Sequence, residues 1–139
     1  MPCGDLDATI SWYEEFTPLV VIDRREDAEG QTAWLANPGP TDQPFVLVLV
    51  MFFKDRGHRQ PQLAPFAHLG IEMPERHDVD DVAARAREAG CLTWEPHELP
   101  PPVGYICALA DPDGNVIEIS HNQGVYAKVQ EMWGTHDEE

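Results

Sequence analysis

A glutamate in a short apolar segment is the side chain of this sequence that first suggests chemistry. Glu118 lies in the alternating segment Val116–Ser120, directly after the turn-forming sequence Asp111–Asn115. Pro restricts φ early in such a turn, and Gly or Asn supplies its positive-φ position. The carboxylate of Glu118 is then solvated at a sheet edge, paired with another group, or bound to a cation. The segment taken alone favours an edge-solvated glutamate.

A second alternating segment lies earlier in the chain and contains a histidine. His68 is part of Phe66–Met73, in which every second side chain faces the same way. Residues 78–90 follow, with apolar side chains at the i, i+3, i+4 and i+7 positions typical of an amphipathic helix. Asp78 is suited to capping the start of this helix, and Gly90 is suited to ending it.

Two further strands are predicted before the turn, near Leu92–Glu95 and at Gly104–Ala110. This half of the chain therefore has the order βαβββ, with His68 on its first strand and Glu118 on its last. The segments FAHLGIEM, REAG and DPDGNVIEIS, in this order, resemble the vicinal-oxygen-chelate superfamily. That superfamily includes glyoxalase I, fosfomycin- and bleomycin-resistance proteins and extradiol dioxygenases.

The resemblance implies an α+β fold in which two βαβββ modules form a cupped mixed sheet. Metal-binding members of the superfamily hold a divalent ion inside the cup, and His68 and Glu118 match two of the usual ligand positions. A carboxylate with an imidazole suits Mn²⁺, Fe²⁺, Ni²⁺, Co²⁺ or Zn²⁺, and ligand type alone does not choose among these ions. No catalytic residue is assigned.

The first half of the chain resembles the other module, with one piece missing. Residues 5–16, DLDATISWYEEF, are predicted to form its helix, and only Met1–Gly4 precede them, too few for the usual opening strand. Three strands follow, and a turn at Pro38–Asp42 joins the last two. They are predicted at Pro18–Arg24, Gln31–Asn37 and Phe45–Phe53. The last is apolar throughout, which indicates burial on both faces.

The missing strand affects the predicted metal site, because in the superfamily it commonly carries a ligand. The positions of the first module that match Glu118, within 45–50, offer no carboxylate or imidazole either. Two recognisable ligands remain where the superfamily usually supplies three or four. Either the chain starts upstream, or the site is degenerate, or a partner chain completes it. We therefore expect metal to be absent or partly occupied, and we expect a homodimer that covers the exposed sheet edge.

We predict a single glyoxalase-like domain over residues 1–139. Module one covers roughly 5–53, a linker 54–64, module two roughly 65–123 and a tail 124–139, in which 125–133 form a helix. The proline-rich residues 95–104 are predicted as a loop. The resemblance implies that this region borders the cup, so His97 either touches a ligand or, as is commoner, is an exposed loop histidine.

Composition restricts the partners and the compartment. The net charge is −16, with 9 basic against 25 acidic residues, which argues against nucleic-acid or anionic-membrane partners. Three widely spaced cysteines, with no signal peptide and no apolar run long enough for a bilayer, indicate a reduced, cytoplasmic protein.

Two classes of function follow from the resemblance. The first is a divalent-metal-dependent enzyme (lyase, thiol transferase or dioxygenase) acting on a small substrate with adjacent oxygens. The second is a metal-free protein of the bleomycin-resistance type that sequesters a cationic ligand. Retention of both His68 and Glu118 favours the enzyme, whereas the acidic charge and the incomplete ligand set favour the binding protein.

Overall fold

The computed structural model describes residues 1–39, 45–61 and 68–133. Its elements in chain order are α1 (Leu6–Phe16), β1 (Val20–Glu26), β2 (Gly30–Ala36), β3 (Val46–Phe52), a 3-10 turn (Phe53–Asp55), β4 (His68–Glu72), α2 (Arg76–Ala89), β5 (Leu92–Leu99), β6 (Gly104–Ala110), β7 (Val116–His121) and α3 (Gly124–Trp133). They divide into two compact units. Unit one comprises Met1–His68 and Ala110–Val116, and unit two comprises Leu69–Leu109 and Ile117–Glu139.

Unit one consists of α1 and a three-stranded antiparallel sheet in the order β1-β2-β3. Asp5 caps α1, because its carboxylate accepts a hydrogen bond of 3.0 Å from the N–H of Ala8. The helix contacts all three strands and buries an apolar stripe at helical spacing. This stripe and the inward side of the sheet form the core of the unit, which includes Leu6, Ile10, Tyr13, Phe16, Leu35 and Leu49.

The strand β3 is buried on one face only. Leu47, Leu49 and Met51 are buried, whereas the valines between them are half-buried. The prediction that this strand is buried on both faces is therefore wrong for the valine face. An apolar sequence removes the alternation by which a half-exposed strand is recognised, so the sequence cannot distinguish the two cases.

The opening strand of the first module is represented by a single bridge. Pro2 pairs with Val50 in parallel, the N–H of Cys3 donates to the carbonyl of Val50 at 2.9 Å, and the N–H of Val50 donates to the carbonyl of Met1 at 2.9 Å. In the part of the chain that the structure describes, the residues before α1 form this bridge and not a full strand. The edge of β3 is nevertheless partly paired within the chain.

Unit two contains α2 and most of a four-stranded sheet in the order β4-β7-β6-β5. Three end residues of these strands, His68 of β4, Ala110 of β6 and Val116 of β7, are counted with unit one. Gly90 ends α2 in the left-handed conformation, at φ 76°, as predicted. The predicted cap at Asp78 is displaced. Glu75 is the N-cap, and Asp78 accepts its N–H at 3.0 Å as the third residue of the helix.

The segment predicted as a proline-rich loop is largely strand. β5 continues to Leu99, so Glu95 to Leu99 lie in the sheet and only residues 100–103 connect β5 to β6. Pro96 is tolerated because β5 is the edge strand and its pairing with β6 shifts register between Trp94 and His97.

The predicted terminal helix is present as α3, but its apolar side chains are exposed. Val125, Val129, Met132 and Trp133 are between 46% and 74% exposed.

Some predicted segments lie outside the described residues. They are part of the turn at Pro38–Asp42, the first two residues of the strand Phe66–Met73, part of the linker and the acidic end of the chain. The helices of the described ranges include none with the length and apolar character needed to span a bilayer.

Candidate functional site

The carboxylate of Glu118 lies beside a glycine on the neighbouring strand. A Cβ atom built on Gly70 would be 3.9 Å from Oε1 of Glu118, an ordinary contact distance. Glu118 therefore lies on the face of the sheet towards which a side chain at position 70 would point. Alternation along β4 gives His68 and Glu72 that same face. The two residues predicted as metal ligands thus occupy neighbouring strands and share a face by strand geometry.

A glutamine beyond the end of β7 holds the Glu118 carboxylate. Nε2 of Gln123 donates to Oε1 of Glu118 at 2.7 Å, and the backbone N–H of Gln123 donates to Oε1 of Glu72 at 3.2 Å. The hydroxyl of Ser120 donates to the other oxygen of Glu72 at 2.8 Å. Glu72, Ser120, Gln123 and Glu118 therefore form one hydrogen-bonded network in unit two, which we call the Gln123 network.

The sequence offered little signal for this network, because Gln123 lies outside the alternating strand. Asn122 adopts a positive φ of 60°, which turns the backbone immediately after β7. This turn directs Gln123 back towards Glu118, which lies five residues before it in the sequence. The sequence signal for this return is Asn122 itself, because asparagine is one of the residue types that tolerate a positive φ.

The donor set is chemically suited to a divalent transition metal but is short of a full set. An imidazole and a carboxylate are ordinary ligands of such ions, and water or substrate oxygens can fill the positions that protein atoms leave open. In the described ranges, three donor side chains that do lie within 4.8 Å of one another form a different group, His77, Asp78 and Asp81. That group lies at the start of α2, and Asp78 is already engaged by the N–H of Glu75.

The histidines of β5 and β7 have structural partners. His97 lies in β5 rather than in a loop, opposite Ile106, with its ring 4.6 Å from that of Trp94. Its Nδ1 is 2.7 Å from the carbonyl of Glu95. His121 is on the opposite parity of β7 from Glu118, and its Nδ1 is 3.2 Å from the carbonyl of Met73.

The turn before β7 has a structural role that its sequence did not reveal. Asp111 is 5% exposed, and one of its oxygens accepts the N–H groups of Asp113 and Asn115 at 3.0 and 2.8 Å. The other oxygen accepts the hydroxyl of Tyr13 at 2.9 Å and the amide of Asn115 at 3.1 Å. Burial, and next the charge of Asp111, raise the pKa of Tyr13 far above its usual value.

Asp113 ties two distant backbone segments of unit one to the same turn. Its Oδ1 accepts the N–H of Gly4 at 3.2 Å and that of Gln60 at 2.9 Å, while its carbonyl accepts Nε of Arg59 at 3.0 Å. The side chain is 3% exposed. The turn therefore joins the start of the chain to the segment after β3.

The three cysteines are free thiols, and two of them are unsuited to reaction. Burial, and next the charge of Asp113, raise the pKa of Cys3 to about 11. Burial, and next the charge of Asp80, raise the pKa of Cys107 to about 12. Both thiols stay protonated near neutral pH, so neither is a nucleophile there. Cys91 is partly exposed, just after α2.

The fold and the site together define a class of protein. An α+β chain with the order βαβββ in its second half, and with histidine and glutamate on the first and last of those strands, is typical of glyoxalase-like proteins. The chain belongs to the Glyoxalase/Bleomycin resistance protein/Dioxygenase superfamily, whose family model matches residues 1–119. This confirms the superfamily that the sequence motifs indicated.

Individual relatives agree with this membership. The uncharacterized protein PA2024 of Pseudomonas aeruginosa is 42% identical over 119 residues, which cover 86% of this chain and 82% of that protein. Glyoxalase I of Leishmania major is 21% identical, with a TM-score of 0.72 over 98% of this chain and 94% of that chain. A glyoxylase/bleomycin resistance protein/dioxygenase domain from Frankia sp. EAN1pec is 25% identical, with a TM-score of 0.66 over 85% and 89%.

Proposed function

We propose that this protein is a divalent-metal-dependent enzyme of the vicinal-oxygen-chelate type, acting on a small substrate with two adjacent oxygens. His68 and Glu118 are the ligands that the chain supplies. The supporting observation is that the Glu118 carboxylate lies against Gly70, on the sheet face that alternation gives to His68. Glyoxalase-type isomerisation, thiol transfer and dioxygenation are the reaction types that this superfamily membership brings into consideration.

The residues on this face have separate roles in the proposal. A bound divalent ion would act as a Lewis acid, polarising a substrate oxygen. His68 and Glu118 would hold the ion, with the carboxylate supplying the negative charge that a divalent ion favours. Gly70 has no side chain and so leaves space beside Glu118. A Cβ at this position would lie in van der Waals contact with Oε1 of Glu118, and a larger side chain would press against the carboxylate. Two protein ligands alone predict weak binding and partial occupancy.

The experiment is metal titration of the purified chain with variants of both candidate donor groups. Mn²⁺, Ni²⁺ and Zn²⁺ are titrated calorimetrically into chelator-treated wild type, His68→Ala, Glu118→Gln and His77→Ala. We expect His68→Ala and Glu118→Gln to lose binding. His77→Ala should bind as the wild type does, because His77 belongs to the separate group on α2.

The outcomes separate the possibilities. Loss of binding only in His77→Ala would place the ion on α2 and contradict our assignment. Equal binding by wild type and Glu118→Gln would remove Glu118 from the site. Wild type that binds none of the three ions would contradict the metal-dependent function and favour the alternative below.

The alternative is a metal-free protein that sequesters a cationic ligand. The net charge of −16 and the presence of Glu72 and Glu118 in one network support it. A cationic ligand would then bind with a strong dependence on ionic strength, because salt screens the attraction to the acidic protein.

We also propose a homodimer of one glyoxalase-like domain per chain, located in the cytoplasm. The exposed apolar face of α3 and the incomplete pairing of the β3 edge support association. Light scattering that gives a concentration-independent mass near 15.6 kDa would contradict the dimer.

A further inference from the structure

The Gln123 network contains an amide that contacts a proposed metal ligand but cannot be part of the predicted ligand pair. Nε2 of Gln123 donates to Glu118 at 2.7 Å, a short bond for a neutral amide donor. A donor on Oε1 restricts rotation of the carboxylate about its last torsion. Such rotation is broad for glutamate in the absence of a partner.

The backbone that carries this amide is itself held by other hydrogen bonds. The backbone N–H of Gln123 donates to Glu72, and Glu72 is anchored in turn by the hydroxyl of Ser120. Asn122 at φ 60° and the bond of 2.8 Å from the N–H of Gly124 to the carbonyl of Pro102 hold the backbone on either side. Gln123 thus has a defined position from which to orient Glu118.

We propose that Gln123 is a positioning residue for Glu118, and that Glu72 and Ser120 position Gln123. This inference rests on the proposed metal site and adds to it the group that sets the orientation of its carboxylate. Ligating carboxylates are commonly hydrogen-bonded in this way, and loss of such an outer partner typically weakens metal affinity about 10–100-fold.

The test uses Gln123→Met, which keeps the length of the side chain and removes the amide donor. Gln130→Met is the matched control, because it makes the same chemical change at an exposed position of α3. Mn²⁺ affinity is measured by calorimetry, and the ligand geometry is read from the visible absorption of the Co²⁺-loaded protein. Urea unfolding in the presence of chelator reports on the fold alone.

We expect Gln123→Met to bind Mn²⁺ about tenfold more weakly or worse, with an altered Co²⁺ spectrum and wild-type unfolding in chelator. Glu72→Gln should weaken Mn²⁺ binding in the same direction but by less, because it acts through Gln123. Gln130→Met should match the wild type in every measurement.

The two proposals fail in distinguishable ways. If Glu118→Gln loses Mn²⁺ binding while Gln123→Met keeps wild-type affinity and spectrum, the positioning role is overturned and the metal site stands. A tighter site in Gln123→Met would also overturn it, because the amide would then compete with the ion. If the wild type binds no ion, the metal site and the positioning role fall together.

Discussion

Each unit has a carboxylate with well-defined hydrogen-bond partners, and the partners differ in kind. In unit one, Asp111 is almost fully buried and accepts two backbone N–H groups, a tyrosine hydroxyl and an asparagine amide. In unit two, Glu118 is half-buried and one of its oxygens accepts the side-chain amide of Gln123. Both lie within one short stretch of sequence, seven residues apart.

The difference separates a structural carboxylate from one suited to chemistry. Backbone donors cannot leave Asp111 unless the turn unfolds, so the charge of Asp111 stabilises the turn and is unavailable to a ligand. A side-chain amide can rotate away from or adjust around Glu118 without any change in the sheet. The motif residues Asp111–Asn115 therefore stabilise the turn, whereas Glu118 is the carboxylate that we propose as a metal ligand.

The largest expected effect comes from removing the structural carboxylate. Asp111→Ala leaves buried N–H and O–H donors without an acceptor, at a cost of about 3 kcal/mol or more in the free energy of unfolding. Glu118→Ala should cost about 1 kcal/mol or less, because the Glu118 side chain is only half-buried. Urea unfolding of both variants gives the comparison. Equal losses of unfolding free energy in the two variants would contradict the distinction between a structural Asp111 and a replaceable Glu118.

A smaller effect is expected from a substitution of Tyr13, whose hydroxyl donates a hydrogen bond to Asp111. Tyr13→Phe should lower the free energy of unfolding by about 1.5 kcal/mol near neutral pH, since it removes a hydrogen bond to a charged group. The pKa of Tyr13 is raised in the folded state, so the unfolded chain loses this proton first. The stabilising contribution is complete below the unfolded pKa of about 10 and is lost as pH rises above it.

Urea unfolding between pH 8 and 11 tests this pH dependence. The wild type should lose stability more steeply above pH about 10 than Tyr13→Phe does. The raised pKa values of Cys3 and Cys107 add an alkaline loss that both proteins share. Parallel profiles for the two proteins would show that Tyr13 does not titrate differently on unfolding.

The space beside Glu118 gives a prediction for unit two. Gly70→Val places branched methyl groups against the Glu118 carboxylate and should weaken Mn²⁺ binding about tenfold, through the same loss of ligand orientation. The fold should not be weakened, because valine favours a strand more than glycine does. Gly70→Ala is the control, since its Cβ meets Glu118 at an ordinary contact distance. Weaker unfolding stability in Gly70→Val would contradict the assignment of open space there.

The smallest effect is expected at an exposed carboxylate. Arg87 contacts Glu95, and the hydrogen bond from Arg87 holds the pKa of Glu95 below its usual value. Both side chains are solvent-exposed, so Glu95→Gln should leave the midpoint of urea unfolding unchanged within error at neutral pH. A clearly lower midpoint in Glu95→Gln would show that solvent exposure does not predict how much each carboxylate contributes to stability.

Much of the fold was predictable because its elements carry local signals. The bounds of β6 are those expected from its apolar run, and the stripe of α2 at Val79, Val82, Ala83 and Ala86 is buried as predicted. The errors occur where tertiary context decides. Pro96 indicated a loop, but an edge strand with a register shift tolerates proline. The cap of α2 lies at Glu75, because Asp78, three residues later, completes a capping box with it.

The candidate site was predictable only as far as strand alternation reaches. Alternation gives His68 and Glu118 their faces, but it contains no information about which side chain holds Glu118. Gln123 returns to that carboxylate through one positive-φ residue, and Tyr13 reaches Asp111 across 98 positions of sequence. Such contacts depend on the assembled fold, so no local pattern predicts them.

The burial of two cysteines makes the third useful as a spectroscopic handle. Cys3 and Cys107 are 2% and 0% exposed, whereas Cys91 is partly exposed at the end of α2. A thiol-reactive nitroxide should therefore attach to Cys91 in the native protein without removal of the other two. Paramagnetic relaxation between such a label and a bound Mn²⁺ ion would then locate the ion by distance, in a chain that needs no engineered cysteine.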